Sequence, residues 1–345
     1  MPEILRGTPL PRIGLGCVTF GREIDERASF EIMDYAAANG LRVFDTAESY
    51  GGGESERIIG RWRRQRQRGP IALMTKVSYR FDRSGIREAL SRSLDRLNAA
   101  YIDYYLLHRY DPVTRIEEVL EALTQAVDEG KVRMIGCSNF DRTQMHMALE
   151  ASERHGFVRF SVNQVPYNLA LRDIERGLLA DCLAAGVAVA GYSPLGAGFL
   201  TGKYNRATNQ ALLDGGAEAG GGTSPVVPPG SRFDVVPAHR DIYFQPELIE
   251  VVERLRHMSA QTQVPMERLA LGWALKNQAI DCVLVGARSV SSLRNAVELR
   301  DRPLPGAWLR EMDYWVLAPP GSASADSDVG FASAEMAGAD RKGMD

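Results

Sequence analysis

No apolar run in this chain is long enough to span a bilayer. The opening stretch, residues 1–6, lacks the apolar core of a secretory signal. The expected location is therefore the cytoplasm, without a membrane partner. Cysteine is scarce: four in 345 residues, at 17, 137, 182 and 282, with no C-x-x-C pair. That excludes a disulfide framework or zinc ribbon and leaves buried free thiols as the expectation. The five histidines include no pair at metal-ligand spacing, so no metal is expected. Excess charge of one sign is also missing. Net charge is −3 and the sequence pI is about 6.0, which gives no reason to expect a nucleic-acid partner. The basic run 61–68 reads as a solvated helix face, its cations near the helix C-terminus.

What is abundant is alternation. Short apolar runs at 13–18, 41–45, 71–76, 102–108, 134–138, 160–164, 187–192 and 282–286 read as strands. Between them lie segments of helical period at 26–39, 54–67, 85–97, 116–129, 142–155, 174–185 and 289–299. Phe30, Met33 and Ala37 share one helix face, as do Val119, Leu123 and Val127. Gly40, Gly130, Gly156 and Gly186 stand where helices should stop, and Asp141 with Gln144 forms an N-cap box pattern. Eight strands, seven of them followed by a helical segment, predict an α/β fold, a (β/α)8 TIM barrel in one domain over 1–320. An open doubly wound sheet is the alternative that a strand count does not eliminate. Residues 205–229, rich in Gly, Ala and Pro, are expected to form a long mobile loop; 321–345 read as a disordered tail.

Three strand-like runs end on ionisable groups: Asp45, Lys76 and His108, with Tyr50 in the loop after the first. In a parallel barrel such strand ends share one mouth, where the chemistry sits. Reduction of a carbonyl requires a proton donor whose pKa lies near working pH. A tyrosine is too weak an acid until a neighbouring ammonium stabilises its phenolate. Lys76 is placed to do this, Asp45 to hold Lys76, and His108 to orient the carbonyl oxygen. Each residue alone has a plainer reading as a cap, a snorkelling lysine or a packing group. The ordered set is far more specific.

Three blocks strengthen it: Phe44-Asp45-Thr46-Ala47-Glu48-Ser49-Tyr50-Gly51, Leu107-His108-Arg109-Tyr110-Asp111-Pro112, and Gly130-Lys131-Val132-Arg133-Met134-Ile135-Gly136-Cys137-Ser138-Asn139-Phe140. With the tetrad, they give the chain a resemblance to the aldo-keto reductases, (β/α)8 barrels that use a nicotinamide cofactor. The resemblance covers about 12–304 and is nearest to bacterial members related to potassium-channel β-subunits. It implies an oxidoreductase that takes a small-molecule aldehyde or ketone, with NADP(H) as cofactor. It also implies cofactor positions. Gly16 and Cys17 end the first strand; Ser138, Asn139 and Gln164 match the residues that hold the carboxamide. Tyr192 matches the aromatic under the nicotinamide ring. Ser193, Pro194, Leu195, Gly196 and Gly198 belong to the pyrophosphate loop, with Lys203 and Arg232 as cations. Gly286 and Arg288 open the last helix, where an arginine and backbone amides suit a 2′-phosphate. Asn295 falls on an adenine contact, and Ala296 replaces the asparagine that usually follows.

Phe20, Tyr79, Phe81, Tyr110 and Tyr167 are the aromatic candidates for the substrate wall, which suits sugar-like or aromatic carbonyls without choosing between them. The pair Gly14-x-Gly16 lacks the third glycine and the immediate helix of a Rossmann turn. The rival to turnover is an NADP(H)-sensing regulatory subunit similar to the channel β-subunits. His108 weighs against it, because those subunits carry Asn there.

Overall fold

The computed structural model describes residues 10–66, 70–204 and 227–315. The tail expected at 321–345 lies outside the described residues, as does most of the expected loop 205–229.

Eight parallel strands close into a barrel: β1 (Ile13–Gly16), β2 (Val43–Asp45), β3 (Ala72–Val77), β4 (Ile102–Leu107), β5 (Val132–Ser138), β6 (Val162–Pro166), β7 (Ala188–Tyr192) and β8 (Cys282–Gly286). Closure is shown by β1, which pairs with β2 at Leu15↔Phe44 and with β8 at Leu15↔Val285. The open doubly wound sheet is thereby eliminated. Outside run α1 (Glu26–Ala38), α2 (Glu54–Gln65), α3 (Arg83–Leu97), α4 (Ile116–Asp128), α5 (Arg142–His155), α6 (Leu178–Ala185), α7 (Arg232–Val235), α8 (His239–Tyr243), α9 (Pro246–Thr262), α10 (Met266–Lys276), α11 (Val290–Asp301) and α12 (Gly306–Asp313).

Strand periodicity of two divides each strand between two cores. Val43, Ala72, Met74, Tyr104, Leu106, Val162, Ala190, Cys282 and Leu284 fill the barrel. Their neighbours Phe44, Leu73, Tyr105, Leu107, Val189 and Val283 pack outward under the helices. Continuing the inward parity to the strand ends reaches Asp45, Lys76, His108, Ser138, Gln164 and Tyr192. The same alternation that packs the barrel therefore aims six polar groups at its C-terminal mouth.

Local rules set the helix bounds. The Asp141 side chain accepts from Gln144 N–H, and the Gln144 side chain from Asp141 N–H, so the capping box forms. Gly156 ends α5 at φ 69, a left-handed conformation that glycine adopts without penalty. The helix expected at 174–185 instead divides at Gly177, φ 136, into a 3-10 turn (Asp173–Arg176) and α6. A Cβ there would meet the Arg142 guanidinium at 2.7 Å, so the break also makes room for a crossing side chain. Within the basic run, Arg61 pairs with Glu26 and Glu54, and Arg63 with the carbonyls of Leu97 and Asn98. Helices α9 and α10 fill a stretch that the sequence reading left unassigned. All four cysteines are buried free thiols. Among the described residues no helix is long and apolar enough to cross a membrane.

Candidate active site

A cavity of about 310 Å³ opens at the C-terminal mouth of the barrel. Asp45, Tyr50 and His108 line it; Lys76, 0% exposed, lies just beneath. Tyr50 begins a 3-10 turn (Tyr50–Gly53) in which Gly51, Gly52 and Gly53 have φ of 58, 61 and 87. That left-handed run turns the chain sharply from β2 into α2 and returns the phenol over the strand ends.

Lys76 Nζ donates to Asp45 Oδ1 and to the Thr46 carbonyl, both at 2.8 Å, and to Tyr50 Oη at 3.3 Å. Asp45 Oδ1 also accepts from Gln164 Nε2 at 2.8 Å. All three Lys76 protons are thus used, and Asp45 Oδ1 accepts twice, the kind of satisfaction a buried ion pair needs to be tolerated. The Tyr50 and His108 rings meet edge-on at 5.7 Å.

Behind His108 lies a polar support that sequence reasoning missed. His108 Nδ1 is 2.7 Å from Ser78 Oγ and 3.4 Å from Ser49 Oγ, and the two hydroxyls are 3.2 Å apart. Glu48 Oε1 accepts from the Ser78 backbone N–H at 2.7 Å. Burial, above all, raises the Glu48 pKa; the Ser78 bond opposes the shift and the Glu56 charge adds to it. Glu48 and Ser49 lie inside the block that carries Asp45 and Tyr50, so their proximity was available as a signal.

On the far side, Asn139 donates to the His108 carbonyl at 3.0 Å and accepts from Tyr192 Oη at 2.8 Å. Ser138 Oγ donates to the Gln164 carbonyl at 2.9 Å. The cavity then runs outward past Ser193, Pro194, Leu195 and Gly198 to Lys203 and Arg232, bounded opposite by Gly16, Gly286 and Arg288. Lys203 keeps contact with solvent, yet crowding around its head group and then the Arg288 charge push its pKa down. Ala197, within the expected pyrophosphate loop, lines the cavity too; Val18, Thr19, Glu23, Thr201 and Ser292 also line it and had no sequence signal.

Several expected site residues face elsewhere. Cys17 is buried one residue past β1, where desolvation and then the Asp45 charge push its thiol pKa up. Gly196 is set against Tyr243, whose ring a Cβ would meet at 2.9 Å. Asn295 Oδ1 accepts from Arg268 Nη1 at 3.0 Å, and Ala296 is buried in α11. None of the five aromatic candidates lines the cavity. Phe20 is buried in the outer core. Tyr167 stacks on Trp273 at 5.2 Å and hydrogen-bonds Glu175 and Asn277. Phe81 is buried beside the Arg109 guanidinium, Tyr110 packs on Phe140, and Tyr79 is exposed. The reason is orientation: these rings lie in loops whose facing is set by local packing, not by strand parity.

Comparison with known proteins places this architecture. The model of the aldo/keto reductase family matches residues 12–314. The chain is 30% identical over 326 residues to the uncharacterized oxidoreductase YrpG of Bacillus subtilis, covering 89% of this chain and 92% of that protein. It is 28% identical over 328 residues to the NADH-specific methylglyoxal reductase of Escherichia coli, covering 86% and 93%. It is also 28% identical over 299 residues to a probable voltage-gated potassium channel subunit beta of Arabidopsis thaliana, covering 82% and 85%.

Proposed function

The chain belongs to the aldo/keto reductase family, and we propose that within it this protein is an NADPH-dependent reductase of aldehydes or ketones with Tyr50 as proton donor. The observation that carries this reading is Lys76 Nζ, held between Asp45 and the Tyr50 hydroxyl with its whole side chain out of water.

The cavity fits a nicotinamide dinucleotide. Asn139, Gln164 and Ser138 offer the amide and hydroxyl groups that a carboxamide pairs with, and Tyr192 offers a flat ring beside them. Ser193, Gly196, Ala197 and Gly198 have φ of 55, 56, 55 and 93, a loop of small residues whose backbone can approach a diphosphate closely. Lys203, Arg232 and Arg288 stand at its outer end. When bound, the nicotinamide supplies the hydride.

The chain's own residues do the rest. Tyr50 gives its hydroxyl proton to the carbonyl oxygen, and Lys76 stabilises the phenolate left behind. Asp45 fixes Lys76 in position. With Nδ1 beside the serine hydroxyls and its ring lining the cavity, His108 is placed to orient the substrate oxygen. The burial of all four groups strengthens each electrostatic contact. Arg288, one residue before the cap of α11, is the group we assign to the 2′-phosphate that distinguishes NADPH. The Escherichia coli relative is named for NADH, so cofactor choice differs among such proteins, and we assign it in this chain to the cavity's outer end. The substrate is a small carbonyl compound.

The test is steady-state oxidation of NADPH and NADH with a panel of sugar, aromatic and short aliphatic carbonyls, on wild type and Tyr50→Phe. The variant should bind cofactor normally and lose about 10²–10⁴-fold in kcat. Near wild-type turnover by Tyr50→Phe on a good substrate would show that the proton comes from elsewhere. A wild type that binds NADPH and reduces nothing would favour a sensing role.

A further inference from the structure

The cavity's outer end contains an acidic group where a phosphate binder should be purely cationic. Glu23 lines the cavity and its side chain is 4% exposed. Arg22 Nε donates to Oε2 at 2.7 Å and Arg22 Nη2 to Oε1 at 2.8 Å. Arg232 Nη1 reaches Oε1 at 3.3 Å, and Arg288 Nη2 lies 3.8 Å from it. Three guanidinium groups thus converge on one carboxylate, and two of them are the arginines assigned to the cofactor.

The placement is built in by the backbone. The N–H groups of Arg22, Glu23 and Ile24 all bond to the Thr19 carbonyl at 3.0–3.3 Å. The Thr19 hydroxyl in turn donates to the Ala287 carbonyl at 2.9 Å. This ties the Glu23 turn to the residue next to Arg288. A surface glutamate would swing away at little cost; this one is seated on a turn anchored to the end of β8.

We propose that Glu23 is an internal competitor for the cofactor's 2′-phosphate, a counter-anion that occupies Arg232 and Arg288 and so limits the preference for NADPH over NADH. The inference rests on the reading of this cavity as a dinucleotide site with Arg288 at the 2′-phosphate. A phosphate entering there brings a charge of about −2 at neutral pH. It must take the arginines from the carboxylate or share them beside a like charge, and both cost affinity. NADH has no phosphate at that position and leaves the Glu23–arginine contacts in place. The protein therefore accepts both cofactors, with a preference smaller than its cluster of cations would give by itself.

Glu23→Gln is the test, because it removes the charge and keeps a carbonyl acceptor for Arg22 and Arg232. Dissociation constants for NADPH and NADH are measured by calorimetry on wild type, Glu23→Gln, Arg288→Ala and the double variant. Thermal melts and a parallel Glu23→Ala series separate charge from packing. Glu23→Gln should tighten NADPH about fivefold or more and NADH by less than about twofold, and the NADPH gain should shrink in the Arg288→Ala background. Glu23→Ala should shift the ratio of the two affinities in the same direction. Equal effects on both cofactors, or weaker NADPH binding in both Glu23 variants, overturns the competitor role. If Arg288→Ala still weakens NADPH selectively in that case, the 2′-phosphate assignment survives alone. Equal losses for both cofactors in Arg288→Ala remove the assignment and the competitor together.

Discussion

Replacing Lys76 by methionine separates what the buried ammonium does for catalysis from what it does for stability. Nζ lies 3.3 Å from the Tyr50 oxygen. At that distance and an effective dielectric constant of about 20, its attraction for a phenolate is about 5 kcal/mol. Asp45, bonded to the same nitrogen at 2.8 Å, repels the phenolate and cancels part of this. A remainder of about 3 kcal/mol corresponds to a loss of about 10²-fold in rate. Stability falls for a different reason. Without Lys76, the buried Asp45 keeps Gln164 Nε2 as a donor but loses its counter-ion. Breaking a buried pair from one side costs about 3–5 kcal/mol, and the remaining amide bond puts this case at the low end. Adding Asp45→Asn removes the orphaned charge. Urea denaturation should therefore show Lys76→Met strongly destabilised and Lys76→Met with Asp45→Asn largely recovered, while steady-state assays show neither regaining activity. The pH–rate profile of Lys76→Met should move to higher pH. Recovery of activity with stability in the double variant, or an unmoved profile with activity retained, would remove Lys76 from the mechanism.

Glu48→Gln should raise the thermal midpoint at about pH 7.5 and lose that advantage toward about pH 4. The folded state raises the Glu48 pKa, so its contribution is full below the usual carboxylate range and is lost as pH rises through the raised value; melts that show the same gain at both pH values would sink this. Gly60→Ala should cost about 1–3 kcal/mol in urea denaturation, because a Cβ there would overlap the Arg96 carbonyl oxygen where α2 crosses the end of α3; a change under about 0.5 kcal/mol would mean that the crossing is looser than its geometry.

The barrel was legible in the sequence because each strand is short and buried on both faces, and all but β7 lead into a segment of helical period. The missing pair, α9 and α10, was legible too. Leu248, Val251, Val252, Leu255 and Met258 recur at helical spacing and are buried on one face. The Gly- and Pro-rich stretch that precedes them masks this period in composition. The division at Gly177 was not readable, because it depends on Arg142 from another helix crossing the backbone.

For the site, legibility follows the origin of each side chain's direction. Residues on strands inherit it from the two-residue period, which is why Asp45, Ser138, Gln164 and Tyr192 face the cavity as a pattern on paper requires. Residues in loops inherit it from contacts that no pattern encodes. Tyr167 turns to Trp273, and Phe20 sinks into the outer core. Glu23 reaches the cavity because three backbone N–H groups gather on the Thr19 carbonyl. The apolar layer formed by Met74, Leu106 and Leu284 lies directly below the polar mouth. That layer makes Lys76 and Asp45 expensive to bury and also makes their charges effective, because low polarizability around a pair strengthens its field on Tyr50 as much as it penalises its desolvation. A more polar plug at those positions would stabilise the ion pair and weaken its hold on the phenol. On the proposed mechanism, the boundary between an apolar barrel and a polar mouth is therefore where a tyrosine gains most as proton donor.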